Sequence, residues 1–264
     1  MAMGSFGWIS LTTDYGTFDG FVAACHGVIA RQAPDVRVID VTHHVPPADV
    51  ARGAAVLAQT APHLPPSVHV AVVDPGVGTE RRGIVIETPN GLLVGPDNGL
   101  LVWAAEALGG IESVVELTNE DWFLGDISRT FHGRDIFSPV AARLALGAPL
   151  TDAGRTVDPQ SVVRLPDPVV AIGDGWIEAE VVTVDRFGNV QLAASGAMLR
   201  GLGPELLLSG SVKARRGQTF GDAGPGELIV FEDSAGRVAI AVNGGRAVVV
   251  LSVTPGDVVR IAER

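Results

Sequence analysis

Two hydrophobic rhythms alternate through the first half of the chain. Residues 8–12 form a short β-prone run that ends in the polar turn Thr13-Asp14-Tyr15-Gly16. Over 18–32, Phe21, Cys25, Val28 and Ile29 share one helical face before Pro34 stops the pattern. Residues 37–41 predict a second strand, closed by Thr42-His43-His44 and the breakers Pro46-Pro47. Asp49 can cap a helix reaching about residue 61, with Val50, Ala54 and Leu57 on its inner side. Residues 68–73 are almost continuously aliphatic, as a strand covered on both faces of a parallel sheet requires. Runs at 84–87 and 92–94 flank Pro89-Asn90-Gly91, a hairpin signal, and 100–108 and 137–146 predict helices. This βαβ rhythm predicts an α/β N-terminal domain with a central, mostly parallel sheet.

The pattern changes near residue 155. Residues 156–174 hold Pro159, Pro166 and Pro168 and show no helical period, which reads as a linker. Beyond them, short β-rich runs at 177–184, 212–214, 227–231, 238–242, 247–253 and 258–261 are separated by Gly-rich turns. They predict a smaller all-β, barrel-like C-terminal domain. The expected division is 1–158 for the α/β domain, 159–174 for the linker and 175–264 for the barrel.

Composition narrows the class. The 264 residues carry 47% hydrophobic positions, 33 Gly and 17 Pro, which describes a folded chain with many turns. The single cysteine, Cys25, excludes an internal disulfide framework and a Cys-rich zinc site. Nineteen basic against thirty acidic residues give a net charge of −11, which disfavours nucleic acid and anionic membranes as partners. The start Met1-Ala2-Met3-Gly4-Ser5 has no basic, apolar leader, and no aliphatic run approaches the ~20 residues of a membrane span. A cytoplasmic protein is expected.

Polar residues gather just after the predicted strands, where open α/β sheets bind ligands. The clusters are Thr12-Thr13-Asp14-Tyr15-Gly16, Asp40-Val41-Thr42-His43-His44, the stretch from Asp74 through Gly76 and Gly78 to Arg81-Arg82, and Gly95-Pro96-Asp97-Asn98-Gly99. A further one, Thr130-Phe131-His132-Gly133-Arg134-Asp135, precedes a predicted helix. Asp14 reads equally as a cap of the following helix or as a ligand contact, His44 as a solvated loop residue, and Asn98 as a turn former. Asp74 stands at a strand mouth before a Gly-rich loop that is not a Walker sequence. Arg81 is either solvated or folded back across that loop onto Asp74. Two chemistries could use these groups. One gathers Asp14, Asp40, Asp74, His43 and His132 around divalent ions, although Arg81 opposes a cation and no His pair has helical ligand spacing. The other is metal-free: Asp, Arg and His position and deprotonate water against a cationic substrate.

The ordered set Thr12-Thr13-Asp14-Tyr15-Gly16, Asp40-Val41-Thr42-His43, Val73-Asp74-Pro75-Gly76-Val77-Gly78-Thr79, Val94-Gly95-Pro96-Asp97-Asn98-Gly99, Thr130-Phe131-His132-Gly133-Arg134-Asp135 and Asp185-Arg186-Phe187-Gly188-Asn189 resembles the S-adenosyl-L-methionine (SAM) hydroxide adenosyltransferase family, relatives of fluorinases and chlorinases. The resemblance runs from about residue 8 to the last strands. It implies hydrolysis of SAM at C5′ to adenosine and L-methionine, with no cofactor and no metal. It also implies a homotrimer whose sites lie between subunits. By the same resemblance Asp74, Arg81 and His132 are the catalytic set and Asp14 binds ribose. Asp185, Phe187 and Asn189 contact the methionine portion and adenine, and Ser234 and Asn243 help to enclose the ligand. Ala48 stands where the fluorinase pattern has Trp, and Asp74 where it has Tyr, so the resemblance implies water rather than halide as nucleophile. Simple binding or sensing of adenosine or SAM is the alternative, with loss of the Asp-Arg-His set as its mark.

Overall fold

The computed structural model describes residues 5–264, and the start Met1-Ala2-Met3-Gly4, on which the expectation about a leader rests, lies outside the described residues. The chain divides into two compact units, Met1–Leu165 and Pro166–Arg264. The first contains β1 (Trp8–Thr13), α1 (Phe21–Gln32), β2 (Arg37–Thr42), α2 (Val50–Thr60), β3 (Ser67–Val72), β4 (Gly83–Thr88), β5 (Gly91–Pro96), α3 (Val102–Ala107), β6 (Ser113–Leu117), α4 (Ser138–Ala145) and β7 (Gly154–Val157). Its 7-stranded sheet runs β2-β1-β3-β5-β4-β6-β7. The β2, β1, β3 and β5 strands are parallel, and β4, β6 and β7 add on antiparallel.

The two-residue period of β3 builds a core on each face of this sheet. Val68, Val70 and Val72 join Cys25 and Ile29 of α1 and Val140 and Leu144 of α4. Ala71 and Val73 meet Ala54 and Leu57 of α2 and Val102 and Ala105 of α3. Each such Val or Leu contributes about 1.5–3 kcal/mol when withdrawn from water. Because β1 and β3 run parallel and adjacent, their carboxyl ends open on the same edge, which brings the turn at Asp14 and the loop at Asp74 together.

His69 is the polar exception in β3. It is 1% exposed, and its Nδ1 lies 2.8 Å from the Ser10 hydroxyl of β1. Burial pushes its pKa down from 6.5 to about 4. Between these values the unfolded chain binds the proton and the folded one does not, so stability is complete above pH 6.5 and is lost on acidification. The stability difference between wild type and His69→Leu, measured by urea unfolding, should fall by about 3 kcal/mol from pH 7 to pH 4.

The second unit contains β8 (Val170–Gly173), β9 (Trp176–Val184), β10 (Val190–Ser195), β11 (Glu205–Leu208), β12 (Val212–Arg216), β13 (Leu228–Glu232), β14 (Arg237–Val242), α5 (Ala247–Leu251) and β15 (Val258–Glu263). The order β10-β14-β13-β12-β11-β15-β9 closes into a barrel through the β9–β10 pairing, with β8 appended to β9. Along β9 buried Ile177, Ala179 and Val181 point into the barrel core and alternate with half-buried outward residues.

Several elements differ from the sequence expectation. The Val-rich run at 247–253 was expected as a strand but forms the helical turn α5, ended by Ser252 at φ 52°. In the closed barrel, β10 and β13 already occupy both sides of β14, so this run cannot fold back to pair with the strand it follows. Strands β6, β7, β10 and β11 are additional. In β10, Gln191, Ala193 and Ala194 carry weak β-propensity, and pairing with β9 and β14 decides its conformation. Within 159–174 the structure has the turn Pro159–Ser161 and strand β8. Among the described residues no helix is long and apolar enough to cross a membrane.

Candidate active site

Asp74 follows β3 by one residue, and the loop after it turns sharply. The Thr79 hydroxyl donates to the Gly76 carbonyl at 2.7 Å, and the Val77 amide donates to the Asp74 carbonyl at 3.2 Å. Gly78 has φ +77°, and a Cβ there would collide with the Arg129 carbonyl oxygen, so only glycine allows this path. The reversal returns Arg81 to Asp74, the folded-back alternative. Arg81 Nε donates to both carboxylate oxygens at 3.0 Å, and Nη2 donates to Oδ2. Both side chains are largely buried, at 12% and 5% exposure.

His132 completes the chain of contacts, with Nδ1 3.0 Å from Arg81 Nη2. A guanidinium only donates, so Nδ1 is the acceptor and the proton of the neutral ring sits on Nε2. The His132 pKa lies below the ordinary imidazole value: burial lowers it most and Arg81 lowers it further, against the opposing pull of Asp74 and Asp135. His132 begins the π-helical turn Gly133–Phe137 that leads into α4. Fully buried Asp135 anchors that turn through Arg134 Nε at 2.6 Å and the Ser128 amide at 2.8 Å.

The neighbouring motif supports this geometry. Asn98 Nδ2 donates to the Val73 carbonyl at 2.8 Å, pinning the backbone just before Asp74. Arg82 turns away to pair with Asp97, its Nε 2.9 Å from Oδ2. The adjacent arginines thus serve different carboxylates.

Asp14 lies on the same sheet edge. Its Oδ2 accepts the Ala48 amide at 3.0 Å, where Ala48 has φ 63°. It does not cap α1, whose N-cap is Gly20 without a side-chain bond. This bond engages only one of the two Asp14 oxygens. Tyr15 packs so closely on Gly133 that no Cβ would fit there, and burial raises its phenol pKa. Its ring joins Phe131 at 5.6 Å, and Phe131 in turn meets Phe21 at 5.1 Å. His44 is exposed, as a solvated loop residue is.

The cation-binding alternative is not assembled as the sequence allowed. Asp74 and His132 are joined by the Arg81 guanidinium, which fills the space a shared ion would need. Asp40 instead pairs with His43 and with His26 on α1.

In the barrel unit, residues 185–189 form the tight β9–β10 turn. Asn189 Nδ2 donates to Asp185 Oδ2 at 2.7 Å, and the Asn189 amide donates to Oδ1 at 2.9 Å. The Asp185 and Asn189 side chains therefore brace each other, while Phe187 stands 75% exposed. Asn243, at the same end of the barrel, donates from Nδ2 to the Ala223 carbonyl at 2.7 Å, a bond that holds the loop. Ser234 is exposed in the turn at the other end of β14, ~20 Å away by strand rise, so only an extended ligand along the strand would reach both ends. Sequence reasoning did not single out Arg246. It packs against Gly188 under the 185–189 turn and adds a second cation beside Arg186, but nothing in its local sequence marks it.

Comparison with known proteins decides the family. Residues 9–154 match the model of the SAM hydroxide adenosyltransferase N-terminal domain, and residues 179–260 match that of the C-terminal domain. The chain belongs to the SAM hydroxide adenosyltransferase family. A Salinispora arenicola protein named (R)-S-adenosyl-L-methionine hydrolase is 65% identical over 98% of this chain and 99% of its own length. An Actinoplanes fluorinase is 28% identical over 89% of this chain and 90% of its own length. The crystal structure of an uncharacterized conserved protein from Thermotoga maritima aligns with TM-score 0.90 and 38% identity, covering 96% of this chain and 99% of that one. The family pattern thus extends across both units, and the Asp74–Arg81–His132 geometry lies inside its N-terminal domain.

Proposed function

We propose that this protein hydrolyses SAM, in the (R) form for which its relative is named, to adenosine and L-methionine. The observation that carries the proposal is the contact chain from Asp74 through Arg81 to a neutral His132, whose Nε2–H is left to donate. The sulfonium leaves as a neutral thioether and needs little acid catalysis. The demanding task is to hold a water in line with the C5′–S bond and remove its proton. The water oxygen forms the bond to C5′, the C5′–S electron pair stays on sulfur, and the water proton passes to Asp74. Asp74 Oδ2 accepts from both Nε and Nη2 of Arg81, whereas Oδ1 accepts from Nε alone and keeps a second lone pair for the proton. Arg81 remains charged throughout, so it orients Asp74 and stabilises hydroxide character rather than acting as base. The His132 Nε2–H holds the water oxygen, a donor aimed where negative charge develops.

Asp14 is assigned to the ribose hydroxyls through its free oxygen. The 185–189 turn, with Asp185, Phe187 and Asn189, is assigned to adenine and the methionine portion, and Asn243 and Ser234 to the enclosure. Exposed Phe187, Val249 and Val250 on the barrel, and Phe18 and Phe21 beside the Asp14 turn, are apolar surfaces in want of a partner. They support association of copies, assigned here as a homotrimer, in which one copy's barrel completes its neighbour's site. The intact Asp-Arg-His set weighs against binding without turnover.

The test is incubation with SAM in ¹⁸O-labelled water containing chloride and a chelator. Adenosine carrying the label at its 5′ oxygen is the expected product. Formation of 5′-chloroadenosine, absence of turnover, or loss of turnover on chelation would overturn the proposal.

A further inference from the structure

Outside the proposed catalytic set, one group of ligating side chains converges on the β2 edge of the sheet. His26 projects from α1, Asp40 from β2, and His43 from the turn after β2. Their ligand atoms all lie within 4.8 Å of one another. Asp40 Oδ1 is 2.8 Å from His26 Nε2 and 3.0 Å from His43 Nε2. Ligand atoms of a tetrahedral cation with bonds of about 2.0–2.1 Å stand ~3.4 Å apart, so these side chains need to open by only a few tenths of an ångström to share one coordination sphere.

A second observation comes from His43 itself. The residue is 5% exposed, and its Nδ1 lies 2.9 Å from the Thr13 hydroxyl. Its Nε2 is buried and makes no well-formed hydrogen bond, despite its proximity to Asp40. An Nδ1–H donated to Thr13 leaves a lone pair on Nε2 aimed at the cluster, which is how metal-binding imidazoles are held. Unpartnered buried ring nitrogens cost stability, and a cation would satisfy this one.

We propose that His26, Asp40 and His43 form a binding site for a divalent transition cation of the zinc class. Two imidazoles and one carboxylate suit zinc, cobalt or nickel, whereas magnesium and calcium prefer all-oxygen ligands. His26 and Asp40 keep 35% and 43% side-chain exposure, so water completes the sphere and ions enter from solvent. The cation would tie α1 to β2 and, through His43 and Thr13, to the mouth of β1 beside Asp14. Its role is to brace this edge of the sheet. Water activation stays with Asp74, Arg81 and His132.

Zinc titration by calorimetry, with cobalt(II) absorption as a spectroscopic reporter of imidazole coordination, tests the site. Wild type should bind one zinc per chain at this site, gain a cobalt spectrum, and melt at a higher temperature with zinc. His26→Ala, a partly exposed position that leaves the core intact, should weaken zinc binding at least 10-fold and lose both the spectrum and the thermal shift. His63→Ala, which removes a histidine outside the cluster, should behave as wild type. Equal zinc affinity and equal cobalt spectra in wild type and His26→Ala would overturn the proposal. So would absence of binding to wild type at 100-fold excess zinc, in which case the cluster is a hydrogen-bonded His-Asp-His group and nothing more.

Discussion

Asp74→Asn should lower single-turnover formation of adenosine by ~10²–10⁴-fold, the range that a positioned proton acceptor supplies. The substitution keeps the shape of the side chain but acts twice. It removes the lone pair that would take the water proton. It also presents an amide N–H₂ to a guanidinium that now donates to both carboxylate oxygens, so one Arg81 contact becomes donor against donor. Arg81 would swing away and release His132 Nδ1, which it alone holds among the bonds seen here. Breaking a buried pair by altering one partner commonly costs 3–5 kcal/mol, so circular-dichroism melting must accompany the kinetics. A folded Asp74→Asn enzyme with an unchanged single-turnover rate would remove Asp74 from the chemistry.

Substitution of His132 should distinguish a donor from a base. If the ring donates through Nε2, His132→Gln keeps an N–H near the same place and should retain at least 10-fold more activity than His132→Ala. His132→Ala should lose ~10²–10³-fold, as removal of one preorganised donor does. If His132 were the base, both variants would lose the same amount, and that equality would sink the donor role. The pH profile reads the same point independently. Burial and Arg81 favour the neutral ring, so the acid limb of kcat/KM due to His132 should lie below pH 6.5. Activity is present above that limb and is lost as pH falls through it, because the new proton goes to Nδ1, directly facing the Arg81 donor. His132→Gln should lack this limb.

These expectations rest on features that were unequally legible in the chain. The strand at Val68, Val70 and Val72 could be read from an aliphatic run that only a doubly covered strand tolerates, and the Pro89-Asn90-Gly91 turn marked the β4–β5 hairpin. The placement of Asp74 at a strand mouth followed directly. Local rules failed where closure of the barrel outweighed propensity: a valine-rich segment became α5, and a strand was made from Gln191, Ala193 and Ala194. Alternatives for Arg81 stayed open because a guanidinium near a carboxylate in sequence can equally lie in solvent. The Gly78 turn settled it for Arg81, while Arg82 found Asp97.

What the sequence determined by itself was the α/β and β-rich division, the residue types at the strand mouths and the family pattern across both units. Each of these depends on local periodicity or on ordered short motifs, which need no knowledge of what lies across the fold. Which nitrogen of His132 carries the proton, which arginine serves Asp74, and that Asp40 joins His26 and His43 rather than Asp14 were decided only by tertiary structure. Those facts are distances between side chains 3 to 51 residues apart, set by strand register and loop reversal rather than by local periodicity.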